Sequence, residues 1–368
     1  INNKVTLPDW ILQNLERGGI SSVNPVVDIT NYILLEMGQP LHAFDQASIH
    51  GVISVRKAKK NETLKLLNDQ DIKLKEGELI IADENNPLAL AGVMGGESSS
   101  INQDSTEIFI ESAYFNPTDI AGIARSYGLN TDSSHRFERG VDFKNTKNAL
   151  QRATSLIIEY CGGECSNILD VEDNLPLRQP IELRTQKISA IMGINIKDND
   201  VKSILDKLNL SYIEKKGKFV ITPPSFRFDL SIEEDLVEEI IRVYGYNNIP
   251  AIAPLNKAEM LDSPNNKKNI YAIKTSLMNL GYNEVVTYSF INKETEEKLH
   301  SNKDVIELQN PIASQMNVMR SKMWGSHIEA LVYNLNRGQN QVRIFEIAPV
   351  YKKNKSNFKE TLMLSGLV

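Results

Sequence analysis

The chain has 368 residues, 41% of them apolar and 24% charged, with a formal net charge of −6. This length supports more than one hydrophobic core, so we expect a multidomain protein. With 41 Lys and Arg against 47 Asp and Glu, the charge balance excludes a general polyanion binder, and contacts with RNA would be local and guided by shape. The sequence has no run of about 18 apolar residues and no leader pattern, so we expect no membrane contact and a cytoplasmic location.

The two cysteines and the chain ends further limit the classes of protein that fit the sequence. Cys161 and Cys165 are too few for a disulfide framework, and four nitrogen or sulfur ligands for zinc are not in sight. We therefore expect buried or incidental thiols. The chain opens with Ile1, and its last stretch, 361–368, keeps an apolar pattern without a polar ending. These features predict a fragment of a longer protein.

The first predicted region, residues 1–175, has the pattern of an α+β domain. It opens with PDWILQNLERGG, in which Pro8 suits a first helical position and Trp10, Ile11 and Leu15 share a face. Short β-rich runs separated by Gly, Asn and Asp turns follow this helix. The predicted strands cover 51–58, 63–67, 79–83 and 107–115.

A longer helix closes the first region. Apolar residues recur at helical spacing between Ala149 and Tyr160, and Gly162 and Gly163 follow as a stop. A polar linker containing two prolines, residues 173–180, then predicts a domain boundary.

The second predicted region, residues 176–255, is a small α+β domain with the element order of winged-helix proteins. Its pattern gives a strand at 181–185, a helix at 199–210, a strand at 218–224 and a strong helix from Ser231. A proline-bearing stretch ends the region and predicts a second boundary.

The third predicted region, residues 262–368, begins with a helix in KKNIYAIKTSLMNLGY. Alternating segments follow at 285–290, 305–311 and 342–351. We expect the start of an antiparallel sheet with flanking helices, cut short at Val368. The chain as a whole is thus predicted to be a multidomain α+β protein.

Two polar, glycine-punctuated segments lie beside these apolar runs. GQPLHAFD spans 38–45 and TDSSHRFERGVD spans 131–142, and both are rich in His, Asp, Arg and Glu. Such loops on a rigid scaffold are typical of a binding or catalytic site. Together with NPVVDITNYILLEM, which leads into the first, they closely resemble the paired signatures of the editing domain in bacterial phenylalanyl-tRNA synthetase beta subunits.

The resemblance implies a hydrolytic editing pocket that removes tyrosine from mischarged Tyr-tRNA(Phe). A second site of this kind is required because an apolar pocket rejects an added hydroxyl by only about a hundredfold. Glu111 matches the glutamate that contacts the tyrosine hydroxyl, and His42 matches the histidine at the ester end. The implied pocket residues are Pro40, His42, Gly95, Gly96, Glu111, Thr131 and Ser133.

The other implied roles are less direct. Main-chain N–H groups of Gly95 and Gly96 could bond the substrate carbonyl as it gains charge. No nucleophile with an adjacent base is evident, which favours attack by a positioned water helped by the tRNA's own hydroxyl. Two residues depart from the family pattern: many relatives have arginine at the position of Ser21 and alanine at the position of Ser133. These departures put efficient editing by this chain in question. Four charged residues stay ambiguous between tRNA contact and an internal ion network, which we favour: His135, Arg136, Glu138 and Arg139.

An acidic helix is the second strong signal. Ser231 followed by Glu234 has the form of a capping box, which predicts the helix start. Carboxylates at helical spacing repel one another, and Mg²⁺ would offset that repulsion, although an acidic first turn favoured by the helix dipole gives the same pattern. The family's magnesium ligands match Asp229, Asp235, Glu238 and Glu239.

The third region resembles the catalytic-like module of the same subunit. RIFE at 343–346 departs from the usual class II order of aromatic, arginine, any residue and acid, and no later ATP-binding arginine follows. The resemblance therefore implies a structural role, packing on the alpha subunit of an alpha2-beta2 ligase that binds tRNA(Phe). ATP would be used by the alpha subunit and not bound here.

Two other functions fit parts of the sequence. The element order of the second region allows a noncatalytic nucleic-acid-binding or assembly module, although KKGK is its only basic cluster. A free-standing editing hydrolase is the other possibility, but such a protein would have no reason to carry the catalytic-like segment.

Overall fold

The computed structural model describes residues 1–253, 269–300, 305–354 and 357–368. The chain divides between Pro254 and Leu255 into two compact units. The predicted boundaries at 255 and 262, and the first two residues of the helix predicted from 267, lie outside the described residues.

The N-terminal part of the first unit alternates helices with short strands. In chain order its elements are α1 (Asp9–Arg17), α2 (Pro25–Met37), β1 (Leu41–Asp45), β2 (Ser54–Lys57), β3 (Thr63–Lys65), β4 (Asp71–Lys73), β5 (Leu79–Ala82), β6 (Pro87–Leu90), β7 (Met94–Gly95), β8 (Ile108–Ser112), α3 (Pro117–Ile120), α4 (Ile123–Ser126), α5 (Asp132–Phe137) and α6 (Thr146–Cys161). The strands form a four-stranded sheet of order β2-β5-β6-β7 and the pairs β1-β8 and β3-β4.

Two cores hold this part together. The helices α1, α2 and α6 pack their apolar faces into one core, where Ile11, Leu15 and Ala153 are fully buried. The sheets and α3 to α5 enclose the other, centred on side chains such as Phe44 and Leu66. Burying each large apolar side chain stabilises the fold by roughly 1.5–3 kcal/mol.

The predicted helices at both ends of this part are confirmed, with two differences in detail. Pro8 is the N-cap of α1 and precedes its first turn. Trp10 does not join the buried face; it is 40% exposed and packs edge-on against Tyr32, with ring centroids 5.1 Å apart. Cys161 is buried and Cys165 exposed, and both are free, as expected.

The remainder of the first unit is a small α+β assembly. Its elements are β9 (Ile181–Arg184), α7 (Thr185–Met192), α8 (Asp198–Lys207), β10 (Tyr212–Lys215), β11 (Lys218–Ile221) and α9 (Glu233–Tyr244). The strands form an antiparallel sheet of order β10-β11-β9, and the helices bury Leu205, Leu236 and Ile240 against it. The helix α7 and the strand β10 were not predicted from the sequence.

The predicted capping of the acidic helix is wrong. α9 begins at Glu233, with Ile232 as its N-cap. The carboxylate that folds back is Asp235, which accepts the backbone N–H groups of Ser231 (2.7 Å) and Ile232 (2.9 Å). Asp235 reaches two free donors at the helix start, so it outcompetes the Ser231–Glu234 arrangement.

The second unit carries helices around two small sheets. Its elements are α10 (Ile270–Asn279), β12 (Asn283–Glu284), β13 (Phe290–Ile291), α11 (Lys293–His300), β14 (Ile306–Glu307), β15 (Val318–Met319), α12 (Trp324–Leu335), β16 (Ile344–Asn354) and β17 (Asn357–Leu367). The sheet β13-β15-β14 is antiparallel, as is the β16–β17 pair, but β12 pairs with β16 in parallel.

A buried ion network lies within the second unit. Arg320, which is fully buried, donates to Thr287 Oγ1 (2.8 Å) and to a carboxylate oxygen of Glu346 (3.3 Å). Burial opposes the charge on Glu346, but the His327 ring 3.5 Å away, the hydrogen bonds from Thr287 and the nearby Arg320 outweigh it and lower its pKa to about 2. No helix in the described residues combines the length and apolar character needed to cross a membrane.

Candidate functional site

A half-open cavity lies where the β1–β8 pair, the β6–β7 turn and α5 meet. Its volume is about 50 Å³, enough for a few water molecules. Five of the predicted pocket residues line it: Pro40, His42, Gly95, Glu111 and Ser133. The rest of the wall is mostly apolar and includes Leu90, Val93, Met94, Phe115 and Phe137.

The strands β1 and β8 bring the two ionisable side chains together. They pair antiparallel, and His42 lies directly opposite Glu111. Opposed residues of an antiparallel pair project from the same face of the ladder. Residues far apart in sequence therefore share one wall of the cavity.

Glu111 is held in a poorly hydrated position. Its side chain is half-buried and reaches the cavity, while protein atoms surround the rest of the carboxyl group. This burial raises the pKa of Glu111 to about 7. About half of the carboxyl groups are then neutral at pH 7, and the neutral form can both donate and accept a hydrogen bond.

His42 packs tightly between an aromatic ring and a glycine. Its ring meets Phe44 edge-on with centroids 4.5 Å apart, and burial lowers its pKa to about 4. The imidazole is therefore neutral at pH 7, and its buried Nε2 has no partner among the described residues. A β-carbon at position 95 would lie 2.5 Å from that Nε2, so Gly95 provides the space in which the ring sits.

Two predicted pocket residues lie behind the cavity wall. The N–H of Gly96 donates to the carbonyl of Leu88 (2.7 Å), so it is not free to bond a substrate oxygen as expected. Thr131 is the N-cap of α5, where its hydroxyl accepts the N–H of Ser134 (3.1 Å) and donates to the carbonyl of Val93 (2.8 Å). Thr131 thus joins α5 to the turn that forms part of the wall.

The sequence did not predict the aromatic wall. Phe137 lies four residues after Ser133 on α5, and both line the cavity. This spacing, which places two residues on one helix face, was a usable signal. Phe115 packs edge-on against Phe137, with centroids 5.0 Å apart, and only the fold shows this.

The charged residues of α5 and its end are paired locally. Arg136 bonds Asp132 (2.7 Å), and Arg139 bonds Glu138 (2.6 Å) and the carbonyl of His135 (3.0 Å). These contacts agree with an internal ion network.

Two of the four predicted magnesium ligands are held by arginines. Asp229 bonds Arg227 at 2.6 Å. Glu239, whose side chain is only 7% exposed, bonds Arg227 at 3.0 Å and Arg242 at 2.7 Å. Burial works against the charge on Glu239, but the hydrogen bonds from Arg242 and Arg227 outweigh it and leave its pKa below the usual value.

The other two carboxylates are engaged as well. Asp235 caps the helix, and Glu238 accepts a hydrogen bond from the hydroxyl of Tyr246 (3.0 Å). Within the described residues, no group of three or more His, Cys, Asp or Glu side chains is arranged to hold a metal ion. As arranged here the four carboxylates do not fit a magnesium site, because Arg227 already supplies the cation that two of them need.

Comparison with known families covers nearly the whole chain. Residues 1–162 match the B3/4 domain, 181–246 the tRNA synthetase B5 domain, and 249–368 the phenylalanyl tRNA synthetase beta chain CLM domain.

Curated relatives match along the full length. The phenylalanine–tRNA ligase beta subunit of Chromobacterium violaceum is 45% identical over 368 residues, all of this chain and 47% of that protein. Those of Dechloromonas aromatica and Neisseria meningitidis serogroup A are 44% and 42% identical, each again over 100% of this chain and 47% of the relative. The chain thus spans about half the length of the curated relatives it matches.

A solved N-terminal fragment of the Pyrococcus horikoshii phenylalanyl-tRNA synthetase beta subunit is a much more distant match. It is 16% identical, with a TM-score of 0.33, over 66% of this chain and 69% of that one. At this score the similarity adds nothing to the sequence matches.

Proposed function

Since the chain belongs to the phenylalanine–tRNA ligase beta subunit family, we propose that its first unit hydrolyses the tyrosyl ester of mischarged Tyr-tRNA(Phe). The observation that carries this proposal is the placement of one carboxyl group, Glu111, in a mostly apolar and aromatic cavity. A phenyl ring would pack against Phe115 and Phe137, and a phenolic hydroxyl would meet Glu111. Phenylalanine in the same position would leave the carboxyl without a partner, which disfavours it.

The ionisation states of the two ionisable side chains, Glu111 and His42, suit the selection of tyrosine over phenylalanine. Because the pKa of Glu111 is raised to about 7, the carboxyl can accept the phenolic proton or donate to the phenolic oxygen. His42, neutral at pH 7, can orient the ester or the attacking water through a ring nitrogen.

Hydrolysis by a positioned water is favoured over a covalent route. Ser133 has the only hydroxyl among the lining residues, and no described base hydrogen-bonds to it. A serine without an adjacent base is a poor nucleophile. The residues of this chain therefore act by binding the substrate, orienting the ester and the attacking water, and excluding bulk water.

The rest of the proposal concerns the assembled ligase. The second unit supports an alpha subunit that performs ATP-dependent charging of tRNA(Phe) in an alpha2-beta2 assembly in the cytoplasm. ATP is not bound by this chain. Mg²⁺ at the acidic helix stays a prediction for that assembly, and no step of the hydrolysis proposed here depends on the ion.

Deacylation of two charged tRNAs by the assembled ligase tests the proposal. Tyr-tRNA(Phe) should lose its amino acid at least roughly tenfold faster than Phe-tRNA(Phe), because only tyrosine satisfies Glu111. Equal rates for the two substrates would contradict the proposal, and rates no faster than those without the ligase would favour a noncatalytic module.

A further inference from the structure

Pro40 occupies a position where the strand ladder calls for a backbone N–H. The register of β1 and β8, continued by one residue beyond the paired strands, sets Pro40 opposite Ala113. At the other end the N–H of Gln46 donates to the carbonyl of Glu107 (3.0 Å), which fixes the alternation of the ladder. Every second pair from there is a hydrogen-bonded position, and Pro40–Ala113 is one of them. Proline has no N–H to give.

The side chain of Gln39 supplies the missing donor. Its Nε2 donates to the carbonyl of Ala113 (2.8 Å) and contacts the carbonyl of Pro40 (3.2 Å). Since both partners are acceptors, only the NH₂ end of the amide can face them. The residue is 1% exposed, so water does not compete for these bonds.

We infer that Gln39 is a positioning residue of the cavity: its amide replaces the ladder bond that Pro40 cannot make and so fixes His42 opposite Glu111. His42 is two residues after Pro40, and Glu111 is two residues before Ala113. We call the hydrogen bonds from the Gln39 amide to Ala113 and Pro40 the clamp; it closes the end of the ladder next to the His42–Glu111 pair. The arrangement allows the rigid proline ring to line the cavity without loosening the strands that carry the ionisable side chains.

The clamp can be removed with little change of shape. Gln39→Met keeps the length of the side chain and deletes the NH₂ donor, and it also removes Oε1, which has no partner among the described residues. Gln70→Met is the matched control. Gln70 also donates its side-chain amide to a backbone carbonyl, that of Tyr127 (3.2 Å), and it does not line the cavity.

Two measurements on the wild type and these variants test the inference. The first is the His42 imidazole signal in NMR spectra of the chain labelled at its five histidines. The second, which rests on the proposed function, is hydrolysis of Tyr-tRNA(Phe) by the assembled ligase. Gln39→Met should shift the His42 signal and lower the rate at saturating tRNA roughly tenfold with a nearly unchanged KM, while Gln70→Met should do neither.

A second-site change gives the sharper test. Pro40→Ala restores a backbone N–H opposite Ala113, so in the Gln39→Met background it should return the His42 signal toward wild type and raise the rate. In the Gln39 background the same change should bring no gain in rate, because the amide of Gln39 already makes the bond. If Gln39→Met leaves the His42 signal where Gln70→Met leaves it, or if Pro40→Ala brings no recovery, the clamp is refuted. A wild-type ligase without hydrolysis would refute the proposed function alone, since the NMR signal would still decide the role of Gln39.

Discussion

His42 and Glu111 lie directly opposite each other on β1 and β8, although 69 positions separate them in the sequence (111 − 42 = 69). The same burial acts on them in opposite directions: it raises the pKa of the carboxyl group to about 7 and lowers that of the imidazole to about 4. At pH 7 the imidazole is therefore neutral and about half of the carboxyl groups are neutral, which suits a cavity that must accept an aromatic ring.

The space at Gly95 should be essential for the histidine. In Gly95→Ala the new methyl group would collide with the His42 ring, and either the ring or the β7 backbone must move. We expect hydrolysis of Tyr-tRNA(Phe) to fall at least roughly tenfold, while charging with phenylalanine is retained. Steady-state deacylation and charging assays on the ligase measure both. Unchanged hydrolysis would mean that the position of His42 does not matter to the reaction.

Burial of Glu111 should appear in the pH dependence of stability. Its pKa is raised from 4.5 to about 7, so between these values the folded protein holds a proton that the unfolded chain has lost. Stability contributed by this group is therefore lost as pH rises through that window. Glu111→Gln should gain stability relative to wild type on going from pH 5 to pH 8, as measured by urea midpoints. A stability difference that is the same at both pH values would show that the carboxyl is well hydrated.

Ser133 should be dispensable for catalysis. Ser133→Ala removes a hydroxyl that no described base contacts and slightly widens the cavity. We expect Tyr-tRNA(Phe) hydrolysis at least equal to that of the wild type. A loss of roughly tenfold or more would show that the hydroxyl takes part in the reaction.

Glu239 should be a major stabilising residue of the acidic helix. It is a nearly buried carboxylate that bonds both Arg227 and Arg242, so Glu239→Ala would remove these charge-assisted hydrogen bonds at a cost of roughly 2 kcal/mol. Glu234→Ala on the same helix is the control. Glu234 pairs with Lys187 at the surface, where solvent screens the pair, so its loss should cost clearly less stability than the loss of Glu239.

Chemical unfolding of the two variants compares these costs. Equal destabilisation by Glu239→Ala and Glu234→Ala would contradict the view that the bonds of Glu239 to Arg227 and Arg242 stabilise this part of the fold.

The sequence predicted the elements whose periodicity is strong and local. α1 and α6 carry apolar residues at helical spacing and are bounded by glycines, and both formed as expected. The short helix α7 has only Ile188 and Met192 buried, so it gave too weak a pattern to detect. Local spacing also could not tell which carboxylate would fold back onto the start of α9, because Glu234 and Asp235 are both within reach.

Long-range contacts determine the parts of the site that the sequence could not predict. Five residues taken from the family resemblance do line one cavity. The placement of His42 opposite Glu111, however, depends on the β1–β8 register, which only the fold shows. Gly96 matched a substrate-facing glycine by position, yet its N–H is used by Leu88 in the neighbouring strand. The four acidic residues matched a metal site, yet Arg227, which precedes them, bonds two of them directly.

The most direct test of selection by Glu111 is hydrolysis of Tyr-tRNA(Phe) by the Glu111→Ala ligase, with phenylalanine charging measured in the same preparation. The lost contact is specific to the phenolic hydroxyl, so hydrolysis should fall at least roughly tenfold while charging stays nearly intact. An equal loss of both activities, or undiminished hydrolysis, would contradict the assignment of Glu111 as the residue that selects tyrosine.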